Sequence, residues 1–245
     1  MALSVSQTAA LGGVLKSGMR VASAGYPDLI APAIGDGLNG LQYREDSLAI
    51  CKRHGLKDRQ IPDAESYFSL LGCKLDVYDI VRERGCEIIC DLNNRLDPVL
   101  KAFNYDIVLD VGSVEHCFNI GQAMMNMAGM VKMGGYILHE NPFNMPNHGF
   151  YNLNPTFFSD FYNANGFELL ECKLVTKDGC SADVPLTKRF KYGEGECNVF
   201  AMARRTSIQS FVFPVQSKYA KLIPAAVDSG ERAASERAMK EIVNG

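Results

Sequence analysis

Between Met19 and Asn141, short continuous apolar runs alternate with stretches that repeat at helical spacing. Residues 19–25 form the first run. It stops at Gly25 and passes into Tyr26, Pro27 and Asp28, so a strand followed by a sharp turn is predicted. Helices are predicted from Tyr43 to Gly55 and from Ala64 to Leu71, the second closed by Gly72. Residues 73–80 and 86–92 read as strands carrying Asp79 and Asp91 at their ends. The strongest strand pattern lies at 105–112, where an apolar core is bounded by Asp106 and by Asp110-Val111-Gly112. A Met- and Ala-rich helix then runs from Ile120 to Val131, breaks at Lys132-Met133-Gly134-Gly135, and gives way to a strand over Tyr136–Asn141. Such alternation with continuous apolar strands predicts a parallel sheet covered on both faces.

After Pro142 the pattern changes. Residues 143–155 form a loop rich in Asn, Pro and Gly, and Pro155 opens an aromatic helix over Thr156–Asn163. Residues 167–176 and 196–205 read as an antiparallel strand pair separated by a polar excursion. A charged terminal helix is expected from Asp228 to Val243, with an apolar stripe too weak for a coiled coil. The expected organisation is an N-terminal helix or extension (1–18), one domain (19–205) and a C-terminal extension with the terminal helix (206–245). That helix is the candidate contact for an oligomer or a larger assembly.

At 245 residues the chain can bury a sizeable core. Its formal charge of −3 offers no basic field for a nucleic-acid backbone, so no nucleic-acid partner is expected. No apolar run approaches the ~20 residues of a membrane-spanning helix, and no membrane partner is expected. The N-terminus lacks the basic region of a secretory signal, which implies a cytoplasmic location. The 8 cysteines include no Cys-x-x-Cys and no His and Cys spacing of a zinc site, so they read as reduced, mostly buried small hydrophobes, and no metal is expected.

Ligands of a parallel α/β sheet bind beyond the carboxyl ends of its strands. Gly25 to Asp28, Asp79, Asp91 to Asn93, Asp110 to His116 and Glu140 to Pro142 stand at those ends. Acids beside a glycine turn suit a nucleoside, because carboxylates accept hydrogen bonds from ribose hydroxyls and an exocyclic amine. Asp79 and Asp91 could equally cap the turns that follow them. A second glycine pattern, Gly35, Gly37 and Gly40, matches the dinucleotide fingerprint, but Pro32 precedes it and Asp58 lies in a polar stretch instead of at a strand end; this is read as a loop.

The stretch from Tyr105 to Leu169 carries three motifs: Asp110-x-Gly112-Ser113-x-Glu115-His116, Lys132-x-Gly134-Gly135, and Asn147-His148-Gly149-Phe150-Tyr151. It resembles the later half of class I S-adenosylmethionine-dependent methyltransferases, with similarity over residues 19–204 that is specific from 105 to 167. The resemblance implies a Rossmann-like, doubly wound, mostly parallel sheet with an antiparallel C-terminal strand pair and helices on both faces. It implies S-adenosylmethionine as cofactor, with Asp79 on the ribose, Asp91 and Leu92 flanking the adenine, and Gly25 close to the cofactor backbone. Tyr26, Asp28, Asp110 and Gly112 complete the cofactor set. The first loop departs from the family's acidic, glycine-rich pattern, since Ser23-Ala24-Gly25-Tyr26-Pro27-Asp28 has one glycine; a ligand without phosphate asks less of that loop.

Methyl transfer needs an acceptor in line with the methyl, sometimes with a base. The candidate catalytic residues are His148, Glu115 and His116. His148 lies in a loop where an acceptor would enter, though it could instead bond loop carbonyls, and His116 could instead line the cofactor. His54 reads as a helix-end cap and His139 as structural. Cys117 has no orienting partner for nucleophilic chemistry, and the methionines at 124, 125, 127 and 130 read as core or a soft interface. Two functions follow: methyl transfer to a small-molecule or glycan-type acceptor, or a catalytically silent methyltransferase fold serving as a subunit of a larger assembly.

Overall fold

The computed structural model describes residues 2–96, 104–176, 179–186, 188–192 and 195–220. The elements are β1 (Ala2–Leu3), α1 (Val5–Val14), β2 (Arg20–Ala24), β3 (Asp28–Leu29), α2 (Ser47–His54), α3 (Ala64–Leu70), β4 (Lys74–Asp79) and β5 (Ile88–Ile89). They continue with β6 (Tyr105–Asp110), α4 (Ile120–Met130), β7 (Val131–Pro142), α5 (Pro155–Ala164), β8 (Phe167–Thr176), β9 (Ser181–Asp183), β10 (Cys197–Arg205) and the short α6 (Ser217–Ala220). The expected terminal helix lies outside the described residues.

Eight strands form one sheet in the order β5-β4-β2-β6-β7-β10-β8-β9. The pairs from β5 through β7 are parallel, and β10 runs antiparallel to both β7 and β8. Side chains alternate across the strands. Ile107 and Leu109 of β6 pack with Phe200 and Met202 of β10 beneath Leu11 of α1 and Phe68 of α3. Val108, Ala201 and Ala203 point the other way, under Met124 and Met127 of α4 and Phe158, Phe161 and Tyr162 of α5. Each methionine so buried contributes about 1.5–3 kcal/mol relative to exposure. This is the Rossmann-like, doubly wound architecture with helices on both faces. Among the described residues the cysteines form no disulfide.

Four elements differ from the sequence expectation. Helix α2 starts at Ser47 because residues 42–44 are extended against 61–63, with Arg44 N–H donating to the Ile61 carbonyl at 2.8 Å and Asp63 N–H to Gln42 at 2.9 Å. The strand expected over 86–92 shrinks to two residues, since Asp91 accepts from Asn93 N–H at 2.9 Å and turns the chain. Lys132 to Gly135 is a bulge inside β7: register jumps from Tyr105↔Val131 to Ile107↔Tyr136, with Gly134 at φ +77°. A Cβ on Gly135 would stand 2.8 Å from the Asp106 carbonyl oxygen, so only glycine fits there. The excursion after β8 adds β9 to the sheet edge.

The N-terminal segment belongs to the same core. Ser4 closes a capping box on α1, β1 pairs with β3, and Leu3 and Leu11 are buried. After β10, residues 206–216 return over α4 and α5, where Phe211 stacks on Phe161 at 6.4 Å and Val212 N–H donates to Asn165 at 2.7 Å.

Candidate functional site

The chain leaves β2 outward to β4 and β5, then crosses back to lay β6 on the other side of β2. Strand order therefore reverses between β2 and β6, the point where a crevice opens at the carboxyl ends. A pocket of about 200 Å³ lies there, lined from the ends of four strands by Gly25, Tyr78, Asp79, Asp91, Leu92 and Ser113, among others. His116, Cys117, Ile80 and Cys90 also line it. Among the described residues no Lys or Arg lines it. A pocket without a cation suits an uncharged nucleoside better than a polyphosphate.

Gly25 turns the chain at φ +81°, a conformation costly for residues with a Cβ. Asp79 uses one carboxylate oxygen to accept from Val81 N–H at 3.2 Å; its other oxygen makes no hydrogen bond among the described residues. Asp91 is more heavily engaged, accepting from Asn93 N–H and Nδ2 at 2.9 and 2.8 Å and from Asn94 Nδ2 at 2.9 Å. Both acids thus bond the turns that follow them and also line the pocket. Ser113 is locked by its hydroxyl on the Ala24 carbonyl at 2.6 Å and by its N–H on Asp110 Oδ1 at 2.8 Å, tying the β2 and β6 loops together.

Tyr26 and Asp28 do not line this pocket. Beyond Gly25 the chain turns so that the Tyr26 hydroxyl donates to Asp63 at 2.7 Å and accepts from Ala64 N–H at 3.1 Å, at the start of α3. Burial first, then Asp63, raise the Tyr26 phenol well above its ordinary pKa. Asp28 is buried and faces Arg53, His54 and Arg84 at 3.6, 3.4 and 3.5 Å. Both residues hold the 26–84 segment in place.

Asp110 is fully buried and also stays outside the pocket. It accepts from His139 Nδ1 and Asn141 Nδ2, both at 2.8 Å, while Gln7 Nε2 donates to its backbone carbonyl at 2.8 Å. His139 bonds Tyr162 on its other nitrogen, as a structural histidine does. Asn141 Nδ2 also donates to Glu115 Oε2 at 2.9 Å. Glu115 Oε1 is buried with no hydrogen bond among the described residues, facing His148 Nε2 at 3.7 Å and His116 Nε2 at 3.9 Å. Burial and the Asp110 carboxylate push Glu115 up to about 8, and burial together with His148 lowers His116. Gly112, at φ +90°, keeps this corner open, because a Cβ would stand 3.2 Å from Glu115 Oε1.

The three candidate catalytic residues therefore meet. His148 arrives from a loop turned by Asn147 at φ +62° and clamped where Phe150 N–H donates to the Glu115 carbonyl at 2.8 Å. Both imidazoles are half-exposed, and the exposed rings of Phe118 and Phe150 meet edge to face beside them at 5.5 Å. Two contributors escaped the sequence reading as site residues. Asn141 stands at the end of β7, where its position was the signal, and Ser113 lies within the motif itself.

No known family matches the sequence, and no curated protein does. Among solved structures, the chain is similar to 1,6-didemethyltoxoflavin-N1-methyltransferase of Burkholderia thailandensis, at 15% identity and TM-score 0.46 over 81% of this chain and 74% of that one. It is also similar to a SAM-dependent methyltransferase of Archaeoglobus fulgidus, at 15% identity and TM-score 0.45 over 82% and 92%. A third is the [4+2]-cyclase SpnF, at 11% identity and TM-score 0.42 over 78% and 76%. At these identities and scores the likenesses assign neither substrate nor chemistry, which have to be argued from the pocket.

Proposed function

We propose that the protein binds S-adenosylmethionine at the switch-point pocket and directs methyl transfer to a hydroxyl of a small molecule or glycan. The observation that carries this reading is Asp79, a strand-end carboxylate that, among the described residues, keeps one oxygen unengaged in a pocket lined by no Lys or Arg. A carboxylate so placed accepts from a ribose diol, while Gly25 leaves the backbone accessible and Leu92 and Ile80 offer apolar walls to a base. Asp91 sits at the adenine end, next to Leu92.

When bound, S-adenosylmethionine supplies an electrophilic methyl group on a sulfonium. The protein's share is positioning and proton handling. His116 belongs both to the pocket wall and to the Glu115-His148 corner, so that corner is where an acceptor meets the cofactor site. The acceptor oxygen gains the methyl and loses its proton, which His148 or His116 is placed to receive. Phe118 and Phe150 offer aromatic faces to the apolar side of a sugar or ring acceptor. Asn141, itself bonded to Asp110, fixes Glu115 from behind, Gly112 leaves room for it, and Tyr26 and Asp28 hold the first loop.

Calorimetric titration with S-adenosylmethionine tests the reading. One equivalent should bind saturably; absence of binding at millimolar cofactor overturns it and leaves a silent fold used as a binding or structural subunit.

A further inference from the structure

The corner formed by Glu115, His116 and His148 is built unlike a simple acid-base pair. Glu115 is fully buried, and among the described residues its Oε1 has no hydrogen-bond donor, a costly state for a carboxylate. Two imidazole nitrogens face that one oxygen from 3.7 and 3.9 Å, too far for hydrogen bonds. Their rings lie 5.4 Å apart with a 34° tilt, both half-exposed, and all three ligating atoms fall within 4.8 Å of one another.

We propose that Glu115, His116 and His148 bind a divalent transition-metal ion at the lip of the pocket. Two imidazoles and one carboxylate are a donor set for Zn²⁺, Mn²⁺, Fe²⁺ or Co²⁺. Two ligand atoms, each ~2.1 Å from a tetrahedral ion, stand roughly 3.4 Å apart. The two Glu115–imidazole separations, 3.7 and 3.9 Å, need close by only a few tenths of an ångström, and the pair of imidazole nitrogens, within 4.8 Å of each other, swings in by rotation of two half-exposed side chains. Three protein ligands leave a coordination position open toward solvent, as at catalytic metal sites. The outer partners are also in place: Asn141 Nδ2 holds Glu115 Oε2 at 2.9 Å, and Phe150 N–H pins the His148 loop to the Glu115 carbonyl at 2.8 Å. The ion gives Glu115 Oε1 the partner it lacks among the described residues.

Occupancy of this site stands apart from the methyl-transfer reading, but the role of the ion rests on it. An acceptor hydroxyl bound at the open position has its pKa lowered and sheds its proton from the ion to solvent, without need of a free imidazole.

The test is a titration of the tag-free full chain with Co²⁺, followed by visible absorption and competed with Zn²⁺. One equivalent should bind and give ligand-field bands without the near-ultraviolet charge transfer of a thiolate ligand. His116→Ala and His148→Ala alter half-exposed side chains and should each weaken binding by at least about 100-fold, above the 10–100-fold typical of an outer-shell loss. No saturable binding at millimolar metal, a thiolate signature, or affinity unchanged in both variants overturns the site. S-adenosylhomocysteine is titrated into the same samples. Nucleoside binding without metal binding rejects the metal site alone, and metal binding without nucleoside binding rejects the methyl-transfer reading alone.

Discussion

Asn141 holds Glu115 by a hydrogen bond from Nδ2 to Oε2 at 2.9 Å, and the same amide nitrogen reaches Asp110 Oδ2 at 2.8 Å. One neutral donor group thus separates two carboxylates that are both fully buried. Asp110 keeps other donors in His139 and Ser113, whereas Glu115 has no other side-chain donor among the described residues.

Asn141→Leu should therefore destabilise the fold by about 2–3 kcal/mol, because it strips a buried carboxyl of its donor. Asn141→Asp should cost more, by adding a third carboxylate. Urea unfolding of the variants measures both. A loss below about 0.5 kcal/mol for the leucine variant would show that the amide does not hold the two acids.

Cys90 and Cys117 line the pocket, and burial, followed by nearby carboxylates, pushes both thiols up to about 11. At about pH 8 iodoacetamide should label them at least roughly tenfold more slowly than exposed Cys180, since the thiolate is the reactive form. Bound S-adenosylhomocysteine should slow them further. Peptide mass spectrometry reads each site separately; equal rates at Cys90 and Cys180 would contradict the buried pocket.

Burial opposes the charge on Asp106, yet the Arg20 N–H at 2.9 Å and the Lys132 ammonium outweigh it and hold its pKa below the usual carboxylate range. A carboxylate whose folded pKa is depressed adds stability that is fully present above its unfolded pKa of ~3.9 and is lost as pH falls through the folded value. Wild type should exceed Asp106→Asn in stability at about pH 7, with the gap closing below about pH 4. Denaturant unfolding of the two proteins across that range reads the difference directly. A gap that persists or widens in acid would mean that the ion pair is not its source.

Much of the fold was legible because it depends on local patterns. The continuous apolar runs of β6 and β10 and the helical spacing of Met124 and Met127 require burial on set faces whatever the rest of the chain does. What escaped depends on contacts remote in sequence. Gly134 and Gly135 look like a helix breaker, but the Asp106 carbonyl makes them a bulge. Tyr26 and Asp28 follow a glycine at a strand end, yet side-chain direction beyond a positive-φ turn is decided by Asp63, Arg53 and Arg84. The meeting of Glu115 with His148 needed the path of the loop after β7, which composition does not encode.

The central claim is that Asp79 holds the ribose of an S-adenosyl ligand, and S-adenosylhomocysteine titrated in parallel into wild type and Asp79→Ala tests it most directly. Wild type should bind one equivalent and the variant roughly 10- to 100-fold more weakly, through loss of charge-assisted hydrogen bonds. Its unfolding midpoint should stay unchanged, because the Asp79 side chain makes only one local turn bond among the described residues. Equal affinity in the two proteins would contradict the placement of the ribose, and no binding to wild type would contradict the claim as a whole.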